Sequence, residues 1–178
     1  MRPFRAISIV KHPPHVVARV VRDRLPELAS FLEDVDEVEV VEREALADGS
    51  VRQVNTWRAS TKLAPAVLAT LGGPVEWLDE ALWRADASVC AFKIEPLFLQ
   101  GAIQCEGTAT YQPAMGGKGT RATFEGAFGF QAAGGASVAG LDRLIASTVE
   151  FAAISLIPKN LRRTLEAAAA LLDRDAPA

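Results

Sequence analysis

Residues 138–172 read VAGLDRLIASTVEFAAISLIPKNLRRTLEAAAALL. Apolar side chains recur every three or four positions from Leu141 to Leu172, which is the spacing of a helix with one buried stripe. The pattern predicts a long C-terminal helix over 138–173, about 50 Å in length if it is straight. Pro158 lies inside this segment, where a proline either kinks a helix or divides it in two.

Three segments before this helix alternate between apolar and polar residues. They are Cys90–Glu95, Ile103–Gln112 and Arg121–Gln131. A period of two with one apolar face is typical of an antiparallel sheet that is buried on one side. The turn at Gly116–Gly119 joins the last two strands, and we expect it to set Glu106 or Thr108 near Arg121 or Thr123.

The N-terminal half also has a readable order of elements. We predict a strand, a helix that begins after two prolines, a second short helix, and two strands joined at Asp48-Gly49, which is a strong hairpin signal. These elements are Phe4–Lys11, Val16–Arg24, Leu28–Leu32, Val35–Ala47 and Val51–Ala59.

Residues 63–74 interrupt the strands. Leu63–Leu71 has helical spacing, and Gly72-Gly73-Pro74 is a good stop signal. We predict a helical insertion over 63–74 that lies against the sheet. The segment that follows, Val75–Arg84, fits either a strand or a helix, and the strand is favoured because strands follow it.

This order resembles the START-like or helix-grip superfamily, which includes pollen-allergen-type and polyketide-cyclase-type (SRPBCC) proteins. The resemblance rests on Lys11-His12-Pro13-Pro14 after the first strand, the Asp48-Gly49 hairpin, the Thr108–Phe130 strand pair and the final helix. It implies an α+β fold in which a curved antiparallel sheet of about 6–7 strands wraps around the long helix. It covers nearly the whole chain, so we expect a single START-like domain over 1–178.

Composition excludes several functional classes. The 178 residues are 49% apolar, and 19 basic against 22 acidic residues give a net charge of −3 without a basic stripe. We therefore expect no nucleic-acid partner, no integral membrane span and, with only two cysteines, a cytoplasmic location. The two histidines, His12 and His15, do not form a ligand cluster, so we expect neither metal nor cofactor. The oligomeric state is left open.

The helix-grip resemblance implies a cavity between sheet and helix that holds a lipid or another apolar small molecule. Aromatic side chains on the apolar face are the expected walls, although the same residues would equally fill an ordinary core. The predicted lining consists of Trp57, Trp77, Trp83, Phe92, Tyr111, Phe124, Phe128, Leu144, Thr148 and Asn55.

Polar residues share this aromatic face. Alternation places Gln53 and Asn55 with Trp57, and Asp79 with Trp77. A buried Asp79 would have a raised pKa and would suit general acid–base chemistry, unless it pairs with Arg58 or Arg84 at a strand edge. His12 is the second weak catalytic candidate.

Three functions are compatible with these features. The first is binding or transport of an apolar ligand without catalysis, which we favour. The second is a cofactor-independent enzyme resembling the polyketide cyclases or dehydratases, which would use Asp79 or His12 for proton transfer. The third is a partner-binding module that docks through Leu63–Leu71.

Overall fold

The computed structural model describes residues 1–33, 35–59, 75–97, 103–130 and 159–176. The predicted insertion 63–74 and the helix segment 138–158 lie outside these residues. The described elements follow in chain order: β1 (Arg2–Val10), α1 (Pro14–Asp23), α2 (Leu25–Leu28), β2 (Glu37–Ala45), β3 (Val51–Ala59), β4 (Val75–Trp83), β5 (Val89–Pro96), β6 (Ile103–Ala114), β7 (Gly119–Phe130) and α3 (159–175).

The strands form one seven-stranded antiparallel sheet in the order β1-β7-β6-β5-β4-β3-β2. Strands β2 to β7 are neighbours both in the chain and in the sheet, and β1 pairs with β7 at the far edge. The predicted antiparallel sheet is therefore confirmed, and the ambiguous segment before Arg84 is a strand, as favoured.

Alternate residues of each strand face α3, and we call this side of the sheet the inner face. Because the strands pair in register, its side chains lie in rows that cross the sheet. One row runs through Asn55, Asp79, Ile94, Cys105 and Phe128. The next runs through Gln53, Ala81, Phe92, Gly107, Gly126 and Phe4.

Helix α3 packs on the inner face through its apolar stripe. Leu165, Ala168 and Leu171 are at most 1% exposed and belong to the main core, together with Trp57 and Trp83. Leu161 also contacts a smaller core cluster around Phe92 and Phe128. The described part of the helix thus contacts both core clusters of the inner face.

The two short helices support the edges of this core. Helix α1 contacts β6 and β7, and α2 contacts β2. The second helix was predicted at Leu28–Leu32 but spans Leu25–Leu28 and continues as a single 3-10 turn over Ala29–Phe31. Pro26 occupies the first turn of α2, where its missing N–H costs nothing.

The predicted register of β6 and β7 was wrong. Thr123 faces Thr110 and Arg121 faces Gln112, so Glu106 and Thr108 face Ala127 and Glu125 instead. The pairing continues to Ala114 and Gly119, because a compact turn over Met115–Gly117 closes the hairpin. Gly116 and Gly117 both adopt positive φ there, which allows this tight reversal.

Candidate polar site on the inner face

The inner face of β3 is polar as well as aromatic. Gln53 and Asn55 are each 1% exposed and Trp57 is 8% exposed. Within the described residues, three buried side-chain atoms have no hydrogen-bond partner, and all three belong to this strand: Gln53 Nε2, Asn55 Oδ1 and Trp57 Nε1. A buried polar group without a partner costs about 1–3 kcal/mol, so this strand carries an unfavourable arrangement that the rest of the fold tolerates.

Asp79 on β4 lies directly opposite Asn55. The Asn55 amide Nδ2 donates to the Asp79 carboxylate Oδ2 at 3.2 Å, and it also lies 3.4 Å from the Asp79 carbonyl oxygen. Because an ionised carboxylate only accepts hydrogen bonds, this contact sets the orientation of the amide. It leaves Asn55 Oδ1 as a free acceptor on the inner face.

Burial away from water has the largest effect on the pKa of Asp79. Burial raises the pKa of its carboxyl group to about 6, although the hydrogen bond from Asn55 lowers it. The Trp57 indole N–H lies outside hydrogen-bond geometry but close enough to lower this pKa as well. A carboxyl group with a pKa near neutrality can both hold and release a proton under physiological conditions.

The predicted alternative, a pair between Asp79 and Arg58, is not present. Arg58 lies on the outer face, where it binds Glu76 at 2.7 Å and Glu37 at 3.1 Å. The other named partner, Arg84, is exposed beyond the end of β4. Asp79 instead has an amide partner and an indole neighbour, which leaves its negative charge without a described cationic partner.

Two stacked indoles flank this polar group. The Trp57 and Trp77 rings lie 5.7 Å apart with an interplanar angle of 12°. Beside them is a cavity of about 20 Å³, lined also by Leu32, Val35, Asn160, Arg163 and Thr164. This volume holds about one water molecule. A larger ligand at this position must displace Thr164 or the half-buried ring of Trp77.

The charge of Asp79 also raises the pKa of three further titratable groups. Burial raises the pKa of Cys105 to about 12 and that of Cys90 and Tyr111 well above their ordinary values, and the nearby Asp79 charge adds to each shift. Both thiols therefore stay protonated and are poor nucleophiles. Tyr111 also packs against Trp83, with ring centroids 5.7 Å apart.

The predicted lining residues in the described chain all lie on the inner face. They divide between two groups: Asn55, Trp57, Trp77 and Trp83 are on β3 and β4, whereas Phe92, Tyr111, Phe124 and Phe128 are on β5, β6 and β7. Leu144 and Thr148 lie outside the described residues. Whether these positions contact a ligand stays a prediction.

His12 lies away from Asp79. Its Nε2 is 2.8 Å from Asp173 Oδ1, and its carbonyl oxygen accepts a hydrogen bond from Thr120. Asp173 is in the last turn of α3, about 20 Å along the helix from Asn160 beside the stacked indoles. The two weak catalytic candidates therefore do not form one group in the described structure.

Gln53 and Thr164 were not among the predicted site residues. Alternation places Gln53 on the inner face, and its burial beside Ala81 adds a donor without a described partner to the site. Thr164 looked like an ordinary helix position. Its proximity to the indoles depends on how α3 is rotated against the sheet, for which the sequence has no direct signal.

Across the described residues, His, Cys, Asp and Glu do not form groups of three or more that could hold a metal ion.

No protein-family model and no curated protein sequence matches the chain. Solved structures do. The protein TTHA0849 of Thermus thermophilus is 24% identical with a TM-score of 0.65, and 98% of this chain and 99% of that chain are covered. The Zhui aromatase/cyclase of a Streptomyces species is 17% identical with a TM-score of 0.65, and the covered shares are 99% and 96%.

A START superfamily protein of Mycobacterium smegmatis is similar over 99% of this chain and 100% of its own, with 9% identity and a TM-score of 0.56. The chain has the START-like, helix-grip fold. The resemblance that the sequence suggested is thus confirmed at the level of the fold. In the described part of the chain, no helix is both long and apolar enough to cross a membrane.

Proposed function

We propose that the protein binds an apolar small molecule or lipid between the inner face of the sheet and the C-terminal helix. The observation that carries this proposal is the pair of stacked indoles, Trp57 and Trp77, beside three buried polar atoms without partners. An apolar wall with a few convergent polar groups is the usual composition of a small-molecule site. The START-like fold supports a ligand-binding role in general terms and names no ligand.

The experiment is native mass spectrometry of protein purified under mild conditions, combined with thermal-shift measurements across a lipid panel. We expect a co-purified molecule, or a rise in melting temperature with at least one class of lipid. Trp77→Ala should weaken this binding because it removes half of the stacked wall. Leu82→Ala is the matched control: it truncates a 45% exposed side chain on the opposite face of the same strand. An unmodified mass together with no thermal shift would contradict the proposal.

A second candidate function is proton transfer by Asp79, in an enzyme that resembles cofactor-independent cyclases or dehydratases. It is favoured by one specific observation, the pKa of about 6 that burial produces at this carboxyl group. In this function Asp79 would take up or release a proton at the reacting atoms while Asn55 holds its carboxylate in place. One similar structure is an aromatase/cyclase, which supports testing an aromatic polyketide as substrate.

The variant Asp79→Asn distinguishes the two functions. It should abolish turnover of such a substrate while leaving the protein folded, whereas ligand binding should continue. Glu80→Gln is the control, since Glu80 is on the outer face and pairs with Arg52 at 2.8 Å. Turnover that survives Asp79→Asn would exclude the catalytic role.

We also propose that the protein works in the cytoplasm. Cys90 and Cys105 are both free and buried, which suits a chain that folds in a reducing compartment. Fractionation of the native source with an antibody to the protein would test this location.

A further inference from the structure

Exposed apolar side chains gather at one corner of the sheet's outer face, on the edge strand β1. Ile9 is 59% exposed and Ile7 is 37% exposed. They alternate with Ala6, Ser8 and Val10, which are the buried positions of this strand. The two isoleucines therefore point away from the core, into solvent.

Met115 adds a third exposed apolar side chain beside them. It lies in the turn between β6 and β7 and is 57% exposed. A Cβ atom added to Gly119 would lie 2.8 Å from Met115 Sδ and 2.9 Å from the Val10 carbonyl oxygen, so the methionine extends over the start of β7 beside the end of β1. Met115 has a φ of 52°, a left-handed conformation that glycine or asparagine adopts more readily. The turn thus holds a large apolar side chain where the backbone favours a small or polar one.

Three basic residues accompany these apolar groups. Arg121 on β7 is the cross-strand partner of Ile9, Lys118 directly precedes Gly119, and Lys11 directly follows β1. All three are exposed, and none has a carboxylate partner among the described residues. We call this surface the β1–β7 corner; it consists of Ile7, Ile9, Lys11, Met115, Lys118 and Arg121.

The charge of the corner differs from that of the rest of the outer face. Arginines elsewhere on this face bind carboxylates, as Arg52 binds Glu80 at 2.8 Å. Arg5 binds Glu125 at 2.9 Å, and this pair marks the limit of the corner along β1 and β7. Beyond it, the outer-face positions of these two strands carry no acidic residue. The corner is therefore locally cationic, although the chain has a net charge of −3.

We propose that the β1–β7 corner docks on the surface of an anionic lipid bilayer. The exposed isoleucine and methionine side chains enter the interfacial region of the bilayer, and the basic head groups stay at the level of the lipid phosphates. The aliphatic stems of lysine and arginine suit this boundary, because they bury apolar length while the charge remains in water. This docking goes beyond the proposed function: it concerns the outer face and does not depend on a ligand between sheet and helix.

The size of the corner favours a bilayer over a protein partner. A stable protein interface uses roughly 20–30 residues on each side, whereas the corner has six. A bilayer requires less, because shallow insertion of a few apolar groups adds to the attraction between the cations and the anionic lipids.

Co-sedimentation with vesicles tests the proposal, with phosphatidylcholine alone compared with phosphatidylcholine containing about 30% phosphatidylglycerol. At low salt we expect the protein to sediment with the anionic vesicles and to stay in solution with the neutral ones. Binding should weaken strongly in about 0.5 M NaCl, which screens exposed charges.

Charge variants assign the binding to the corner. Lys11→Gln and Arg121→Gln should each lower the partition coefficient about fivefold, since one basic residue near an anionic surface contributes about that factor. Lys93→Gln is the matched control. Lys93 is an exposed lysine on the outer face of β5 whose cross-strand partners are Glu80 and Glu106, so its loss should not reduce binding.

An apolar variant separates docking from a structural role of the turn. Met115→Asn should also lower the partition coefficient about fivefold, because it removes a half-exposed apolar side chain that the bilayer would bury. It should not lower the melting temperature, since asparagine tolerates the left-handed backbone at this position. Leu82→Asn is the control: it removes a 45% exposed side chain on the outer face of β4, outside the corner, and should leave vesicle binding unchanged.

Several results would overturn the proposal. They are a lack of binding to anionic vesicles at low salt, equal binding to neutral vesicles, and losses in the control variants as large as those in the corner variants. Tighter binding to polyglutamate than to anionic vesicles would assign the corner to an acidic protein partner, and a dimer that Ile9→Ser dissociates would assign it to a second copy of the chain. Native mass spectrometry tests the proposed function separately, so failure of either proposal leaves the other standing.

Discussion

The row of inner-face residues from Gln53 to Phe4 differs between its two ends. The ends differ in how closely the side chains pack and in whether the buried polar atoms have hydrogen-bond partners. At the β3 end, Gln53 is buried with an amide nitrogen that lacks a described partner. At the other end, Gly107 and Gly126 pair with each other, and the rings of Phe92 and Phe4 lie over them. A Cβ atom added to either glycine would come within 2.8 Å of one of these rings.

This difference teaches where the fold obtains its stability and where it accepts a cost. Close packing of rings over glycines leaves no room and buries apolar area, which stabilises the sheet. Buried polar atoms without partners lower the stability of the fold, and binding sites commonly carry a cost in stability of this kind. The β5–β7 end is therefore closely packed, whereas the β3–β4 end contains the buried polar atoms that lack described partners.

The largest effect is expected from Gly107→Ala at the packed end. Its Cβ would clash with the Glu125 carbonyl oxygen and would lie 2.8 Å from the Phe92 ring. Backbone cannot yield as a flexible side chain does, so we expect a loss of about 3 kcal/mol or more in the free energy of unfolding. Urea denaturation followed by circular dichroism measures this loss.

The control for this change is Gly129→Ala. Its Cβ would meet mainly the flexible side chain of the exposed Met1, at 3.1 Å, so the cost should stay below about 1 kcal/mol. Equal losses of unfolding free energy in the two variants would show that the close contact between Gly107 and the Phe92 ring does not cause the loss.

The second effect concerns Asp79 and has a defined pH window. Its pKa rises from 3.8 to about 6 on folding, so the folded state binds more protons than the unfolded state between about pH 4 and pH 6. The contribution of Asp79 to stability therefore falls as pH rises through this window and stays lower above it. We expect Asp79→Asn to raise the free energy of unfolding at pH 8 by about 2 kcal/mol and to remove this part of the pH dependence.

Denaturation midpoints from pH 4 to pH 8 check the prediction. Glu80→Gln, one residue along on the outer face, should keep the dependence of stability on pH that the parent protein shows. If the stability difference between Asp79→Asn and the parent does not grow from pH 4 to pH 6, the Asp79 carboxylate is well solvated.

A smaller gain is expected from Gln53→Met at the polar end. Replacing an unpartnered buried amide by an apolar group of similar shape removes its desolvation cost, so we expect about 1 kcal/mol of added stability without ligand. Thermal denaturation in ligand-free buffer measures it. A loss of stability greater than about 1 kcal/mol would show that the Gln53 amide is well satisfied in the free protein.

The smallest effect is expected on the outer face. Arg58 bridges Glu37 and Glu76, but all three side chains are solvent-exposed by a third or more. Such pairs contribute little and are screened by salt. Arg58→Ala should shift the denaturation midpoint slightly at low salt and not at all in 0.5 M NaCl; a large shift at both salt concentrations would contradict this expectation.

Much of the fold and part of the site were predictable from local patterns. Period-two alternation correctly put Asn55 with Trp57 on β3 and Asp79 with Trp77 on β4, because side-chain direction along a strand follows from the pleat alone. The register of β6 and β7 was not predictable, since it depends on the exact closure of the turn over Met115–Gly117. A shift of two residues keeps every side chain on its face but changes every cross-strand partner.

By itself the sequence determined the class of element at most of the described positions, the apolar stripe of α3 and which residues of each strand share a face, because these depend on residues close together in the chain. Only the tertiary structure decided that Asp79 faces Asn55 and that the amide of Gln53 lacks a described partner. It also decided that the two indoles stack beside Thr164 with room for about one water. These are relations between distant segments, and they depend on register and on the rotation of the helix against the sheet.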